Sequence, residues 1–525
     1  MIKDVNLGGS LGGTLNSIKR ASAQVEQTSL RLNTGKRVNS VLDQPQNFFN
    51  AFSLNNDASD YSRLIDGLSM GTRTVQASLS GLEAIEKVLR LAENRALEAA
   101  TTLENTKSAL PNAILADNPV GYYQLYDADR IEAVNIGSLA GDPNGNGTYI
   151  NGVSQGKEIL FYGAGGLAAK FDGNQQYIGI LPNDSINTAG PYDEKTIELT
   201  FNADTVAGRQ VLFEEGGPVN NLNIYIDNGQ VYVNGRSTFG GGWGPFNISA
   251  PIEAGVTYQV ALVLDANNNR FSGVLNGEEF GSAFLPAPIG SHPNRNAIGA
   301  INQDIYFHDD GPGNAPTNRP DGSFAFRGEI SDVAFYNDVI SLEGLRARYE
   351  ATSLPLAERF RTEIIEFMNQ ISGIVEDSAF RGVNLLQEDE LRVDLNQDRS
   401  NKLEIKGGNF SLESLGLDEI SFQKPSQTEA SIRKIREAIE TIREYTSKLT
   451  SDINIINMRE TFTREKINTL KAGADDLTLA DINEEAANQL SAQTRLELSV
   501  TALSLATASQ QSILTLFSNG TGQVI

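Results

Sequence analysis

Apolar residues recur along this chain with two different periods, and the period changes twice. Near the start, Leu11, Leu15, Ile18, Ser22, Val25, Ser29 and Leu32 step by four and three, the seam of a helix that lies along another helix. Thr34-Gly35 closes it, because glycine accepts the left-handed conformation in which helices often end. Leu64, Leu68, Val75, Leu79, Leu82, Ile85, Leu89 and Ala92 predict a second long helix over residues 61–106. After Pro355, Leu356, Phe360, Ile364, Phe367, Ile371 and Ile374 form a third stripe. A fourth, Ile432, Ile435, Ile439, Ile442, Thr446, Leu449, Ile453 and Ile456, holds a coiled-coil-like repeat near 3.5 residues. The last predicted helix, residues 479–517, is apolar on two stripes. One is Leu496, Val500, Leu503, Leu514 and Phe517, and the other is Leu498, Ala502, Leu505 and Leu516. Such a helix needs neighbours on both sides, and at about 58 Å for about 39 residues it is too long to be wrapped within one domain. Burial against other subunits is expected.

Between these helices the period is two. Residues 196–201, 223–232 around the turn Asp227-Asn228-Gly229, 257–264, and 271–275 ending at Asn276-Gly277 read as short strands joined by tight turns. This is the pattern of an antiparallel sandwich. Proline marks its limits: of 17 prolines, 14 lie between Ala109 and Ser353. The expected organisation is therefore a helical core over 1–108, an inserted β-sandwich over 109–353, a helix and β-hairpin region over 354–425, and a second helical core over 426–525. The fold class is multidomain, with a long α-helical coiled-coil core from both termini, a small β-hairpin region and an inserted antiparallel β-sandwich of jelly-roll type.

Charge and composition narrow the chemistry. The formal charge is -24, and the inserted segment, with 28 acidic and 12 basic residues, carries -16 of it. A nucleic-acid backbone or an anionic membrane surface needs clustered Lys and Arg, so neither partner is expected. There is no cysteine, which removes disulfides and thiolate sites, and there are only two histidines, His292 and His308, both in Gly/Pro-rich stretches. Residues 1–13 lack a basic start followed by an apolar core, so no cleaved secretory signal is expected. The tail after Glu497 is uncharged, but Ser499, Thr501, Ser504, Thr507, Ser509, Gln510, Gln511, Ser512 and Thr515 make it too polar to insert in a membrane.

Catalysis finds little support. Glu214-Glu215 and Glu278-Glu279 are adjacent, so each pair points to opposite faces of a strand, whereas glycoside hydrolysis needs two carboxylates facing one sugar. No catalytic residue is assigned. Asp142, Asn144 and Asn146 stand at the spacing that opens a calcium loop and are the metal candidates, against the plainer reading as a turn, since Val153 occupies the twelfth position where a bidentate Glu is required. Trp243, in Gly240-Gly241-Gly242-Trp243-Gly244-Pro245, is the glycan-binding candidate, against a role in anchoring that loop.

Three ordered motifs carry a family resemblance. The run Arg31-Leu32-Asn33-Thr34-Gly35-Lys36-Arg37-Val38-Asn39-Ser40 with Asp43 resembles the amino-terminal signature of bacterial flagellins. Phe380-Arg381-Gly382-Val383-Asn384-Leu385-Leu386 is similar to the link into the flagellin β-hairpin. The third is residues 474–487, from Ala474-Asp475-Asp476 to Glu485-Ala486-Ala487, with the terminal Leu514-Thr515-Leu516-Phe517. The resemblance implies a secreted, extracellular filament subunit that polymerises with itself through its terminal helices. Leu11, Leu15, Ile18, Val25, Leu32, Leu496, Val500, Leu503, Leu514 and Phe517 are then the expected assembly residues. It also implies export through the flagellar type III apparatus with a chaperone, and contact with filament cap and hook-associated proteins. Familiar flagellins carry their outer domains after the hairpin, whereas here the insertion comes before it. The hook-filament junction protein, which shares the amino-terminal pattern including a proline such as Pro45, is the alternative, and a filament-displayed polysaccharide-active enzyme is another.

The insertion resembles laminin G-like, or concanavalin-like, jelly rolls through Asn118-Pro119-Val120-Gly121-Tyr122-Tyr123-Gln124-Leu125, Ala169-Lys170-Phe171-Asp172-Gly173 and the stretch 326–337. That resemblance implies a glycan ligand and calcium as a cofactor; no other cofactor is expected.

Overall fold

A computed structural model describes residues 7–129, 131–311 and 319–518; side chains are described from residue 12 to residue 515 outside the same internal gaps. Helices α1 (Leu7–Thr34), α2 (Pro45–Glu104) and α3 (Ala109–Ala116) lead into a run of strands. These are β1 (Gly121–Tyr123), β2 (Glu132–Ala133), β3 (Gly147–Ile150), β4 (Ser154–Gln155), β5 (Ala169–Asp172), β6 (Tyr177–Ile180), β7 (Glu194–Ala203) and β8 (Arg209–Gly216). They continue with β9 (Asn221–Asp227), β10 (Gln230–Arg236), β11 (Ile248–Pro251), β12 (Thr257–Asp265), β13 (Arg270–Leu275), β14 (Glu278–Phe284), β15 (Asn296–Ile298) and β16 (Arg327–Tyr336). Helices α4 (Leu342–Ala351) and α5 (Leu354–Asp377), the hairpin β17 (Glu390–Asp394) and β18 (Lys402–Lys406), and helices α6 (Pro425–Thr478) and α7 (Ile482–Ser518) complete the chain. The expected order of long helices, antiparallel sandwich and long helices is the observed one.

The chain forms two compact units. The first comprises Met1–Ser80, Ser378–Gly408 and Tyr445–Ile525. Within it α2 and α6 run antiparallel: a Cβ at Gly473 would lie 3.5 Å from Leu54, and one at Gly71 would lie 3.7 Å from Ile456. The sequence-read seam faces inward, with Leu64, Leu68, Val75, Leu449, Ile453 and Ile456 all buried. Val393 of the hairpin presses on the same seam, and a Cβ at Gly71 would stand 2.7 Å from it, so α2 needs glycine there. The start of α2 departs from expectation. It begins at Pro45, not near residue 61, because Pro45 takes the first helical position and the Asp43 carboxylate accepts the backbone N–H groups of Asn39 (2.9 Å) and Ser40 (2.8 Å) to set the turn before it.

The second unit comprises Gly81–Asp377 and Asn409–Glu444. One sheet has the order β14-β13-β12-β7-β16-β5-β4 with β1 beside β16, and the other β11-β10-β9-β8-β15-β6-β3-β2. Ile197, Leu199, Phe201, Leu262, Leu264 and Phe271 of the first sheet meet Ile224, Ile226, Val231 and Val233 of the second in one buried core. Asn228 and Gly229, at φ 47° and 83°, and Asn276 and Gly277, at 51° and 74°, make the tight hairpin turns read from sequence. Both outer faces are also covered. Leu110, Ile114 and Leu345, from α3 and α4, lie on the outer face of the first sheet, where buried Arg348 pairs with buried Glu198 and the Tyr122 hydroxyl donates to Asp332 Oδ1 at 2.6 Å. Ile301, Ile305 and Phe307 cover Val211 and Tyr225 on the outer face of the second.

In the helices of this unit, Phe360, Ile364 and Ile371 of α5 are buried as expected, while Leu356, Phe367 and Ile374 are only half-buried. Met368 and Val375 take the inner positions instead.

Candidate assembly surface

Two of the three sequence motifs, far apart in the chain, meet in the structure. Gly35, at φ 68°, ends α1 and accepts the Ala480 N–H at 3.0 Å, while Arg37 donates its N–H to Thr478 O at 2.7 Å. The Asp481 carboxylate then caps α7, accepting the N–H groups of Asn483 (2.9 Å) and Glu484 (3.3 Å). Arg31 Nη1 donates to Glu485 Oε1 at 2.9 Å. The remaining motif, residues 380–386, turns through Arg381 and Gly382, both with positive φ, buries Leu385 and Leu386, and delivers the chain to β17.

This joint sets α7 antiparallel along α1, and at the far end a groove is lined by Gly13, Thr14, Ser17, Leu498, Ser499 and Ala502. The pair does not bury its own apolar surface. Ile18, Val25, Leu32, Leu496 and Leu503 are half-buried between the helices. Leu15 is 49% exposed, Val500 50% and Leu514 67%. The second stripe is barer: Leu498 is 65% exposed and Leu505 67%. Leu11 and Phe517 lie outside the described side chains. The α-helical pair thus exposes leucines on both flanks and carries no charge beyond Glu497, an apolar surface of the kind that interaction sites present.

Trp243 stands elsewhere than a sugar-stacking role requires. It is 7% exposed, its ring lies 5.5 Å from Phe246 at 13°, and its Nε1–H donates to Pro288 O at 3.2 Å. The indole faces are used inside the core, so Trp243 anchors its loop. The calcium candidates are likewise engaged: Asp142 Oδ1 accepts the Asn144 N–H at 2.8 Å, and Asn146 Oδ1 accepts the Asn135 N–H at 3.0 Å. The segment is an Asx turn, and among the described residues no group of three or more His, Asp and Glu could hold a metal ion.

Sequence reasoning missed the buried charges. Lys195 crosses the sandwich core to pair with Glu215 and donates to Ile186 O at 2.6 Å. Burial pushes that ammonium down and that carboxyl up, while their mutual attraction opposes both. His292 lies beside them, held by Asn187 Nδ2 at 3.2 Å from its Nδ1, and burial and the Lys195 charge lower it to about 3. A lysine inside a strand otherwise alternating Ile, Leu and Phe is the only sequence signal that could have shown this.

The two ends of the insertion meet. Ser353 Oγ donates to Thr106 Oγ1 at 2.6 Å, Ser108 donates its N–H to Ala164 O, and Gly163 its N–H to Thr352 O. Below that point Arg95 of α2 bonds Glu363 of α5 at 2.6 Å and lies over Phe360.

Fold and surface together define a multidomain protein with a helical core from both ends of the chain, an inserted sandwich, and terminal helices whose flanks expose leucines. Residues 10–114 match the family described as the bacterial flagellin N-terminal helical region. No curated protein matches the chain. Among solved structures it is similar to the binding domain of botulinum neurotoxin serotype D (12% identity, 46% of this chain and 53% of that one, TM-score 0.32). It is similar also to domain 4 of AbnA, an extracellular arabinanase from Geobacillus stearothermophilus in complex with arabinotriose (13%, 44% and 98%, 0.31). A third is a Trypanosoma rangeli sialidase (14%, 45% and 33%, 0.30). The chain thus spans about half the length of the neurotoxin binding domains it matches. No described helix is long and apolar enough to cross a membrane.

Proposed function

We propose that this chain is a flagellin: it is secreted through the flagellar type III apparatus, polymerises with itself into the extracellular filament that drives swimming, and displays its laminin G-like sandwich on the filament surface. The observation that carries the reading is the antiparallel α1/α7 pair with leucines bare on both flanks, in a chain whose residues 10–114 match the flagellin amino-terminal region. Stacking of such pairs buries those leucines at about 25 cal/mol per Å² and leaves Ser, Thr and Gln of the same helices for a wet channel. Chaperone, cap and hook-associated proteins are the partners this role requires. The role is structural, not enzymatic. The insert serves as a displayed recognition or adhesion module, and any glycan it binds is met by residues other than the buried Trp243.

Purified protein, seeded with short filament fragments and examined by negative-stain electron microscopy, tests the reading. Long filaments are expected from the full chain and none from a chain lacking 503–525. Equal polymerisation of the truncated chain removes the role assigned to α7.

A further inference from the structure

Inside the sandwich, an amine and a carboxyl from opposite sheets are in direct contact, away from water. Lys195 on β7 and Glu215 on β8 both project into the space between the sheets, since their register partners on neighbouring strands, Leu264 and Leu222, belong to the core. Both are buried. Lys195 Nζ donates to Glu215 Oε1, and Ile186 O, which accepts from the same nitrogen at 2.6 Å, fixes its position. The Tyr192 ring covers that nitrogen at 4.5 Å. Glu215 Oε2 is buried without a hydrogen-bond partner. His292 adds a third group: its Nε2 stands 3.9 Å from Glu215 Oε1 and has no hydrogen-bond partner either. The tautomer of this imidazole is fixed. Asn187 accepts the Asn183 N–H through its Oδ1 at 3.1 Å, so the Nδ2 beside His292 Nδ1 is a donor and Nδ1 must accept. Nε2 therefore carries the proton.

An ion pair is an incomplete answer to this burial, because both charges lose their water and one carboxylate oxygen goes unpaired. Burial drives the ammonium down and the carboxyl up, towards a free amine beside a neutral acid. A free amine held against a neutral carboxyl, with water excluded, is the arrangement from which an amide forms. Fixed juxtaposition of this kind corresponds to effective concentrations of about 10⁵–10⁸ M.

We propose that Lys195 and Glu215 condense into an intramolecular isopeptide bond that joins the two sheets of the sandwich covalently. The Nζ lone pair adds to Cδ, so that an N–C bond forms and one Cδ–O bond breaks. The amine gives up a proton to the departing hydroxyl, which leaves as water, and nothing is oxidised or reduced. The His292 Nε2–H polarises the carboxyl oxygen as negative charge builds on it. The product keeps one N–H for Ile186 O, loses both buried charges and leaves one oxygen where there were two. A chain without cysteine has no disulfide with which to tie these sheets, and the isopeptide bond supplies that tie. This inference concerns the inserted domain alone and does not depend on the filament reading.

Intact-mass spectrometry of the purified full chain, denatured after folding, tests this together with peptide mapping. The chain should be lighter than its sequence by the mass of one water, and protease digestion should release one branched peptide that holds both Lys195 and Glu215. Lys195→Met should show the full mass of its own sequence. Lys170→Met, which removes a lysine paired with Asp204 outside the core, should still lack one water. The branched peptide is read from the unaltered chain, so the test stands even where Lys195→Met fails to fold. A folded chain that keeps its full mass after prolonged incubation overturns the proposal. It is equally overturned if the lost water maps to other residues, or if Lys195→Met loses it too.

Discussion

Substituting Leu498 and Leu505 by alanine separates assembly from folding. Both lie on the bare flank of α7, about two-thirds exposed, so the isolated chain loses little, within about 0.5 kcal/mol as at other surface positions. Covered by a neighbouring subunit, each leucine buries what is now exposed. Leu→Ala removes three carbons at about 0.8 kcal/mol each, and two-thirds of that is about 1.6 kcal/mol per site, about 3 kcal/mol for both. At 1.4 kcal/mol per tenfold, the critical concentration for polymerisation should rise roughly 200-fold. Sedimentation of seeded filaments across a concentration series measures it, and circular dichroism on heating checks the fold. An unchanged critical concentration with an intact fold refutes the claim that this flank is covered on assembly.

Deleting 109–353 and joining Ser108 to Leu354 through a short linker should leave polymerisation intact, since Thr106 and Ser353 are already within a hydrogen bond; sedimentation and electron microscopy of the shortened chain check it. Arg348→Leu should destabilise the insert by about 3–5 kcal/mol by leaving Glu198 buried and unpaired, with much of the loss recovered in the double variant with Glu198→Gln; thermal unfolding reads both. His292 is lowered to about 3 in the fold, so only the unfolded chain takes up its proton as pH falls below about 6.5. Its neutral form therefore costs the fold nothing above that pH, and stability is lost progressively from about 6.5 towards 3. Asp332, raised to about 6 by burial, acts in the opposite direction, gaining stability as pH falls, so the measurement is the difference between the unaltered chain and His292→Gln, which should grow across that window.

The helices were legible because each of their seams is a local pattern: Ile435, Ile439, Ile442, Leu449 and Ile456 are all buried as their spacing requires. The turns at Asn228-Gly229 and Asn276-Gly277 were legible because their left-handed conformations select those residues. The start of α2 was not, since Phe49 and Phe52 point outward and leave no stripe over residues 45–60. Nor could the outer faces of the sandwich be read. Alternation marks which residues face the core, but Glu214, Asn223 and Arg348 sit on the opposite faces and are buried by segments distant in sequence. For Trp243 the anchoring reading was open in the sequence, but its partner was not, because the glycines around it conceal that the chain folds it back to Pro288.

Helical reconstruction by cryo-electron microscopy of the polymer formed by the purified full chain tests the central claim most directly. The account predicts a filament whose channel is lined by α1 and α7, with Leu498 and Leu505 covered by adjacent subunits and the sandwich at the outer surface. A polymer in which those leucines remain solvent-exposed, or in which the sandwich supplies the subunit contacts, contradicts it.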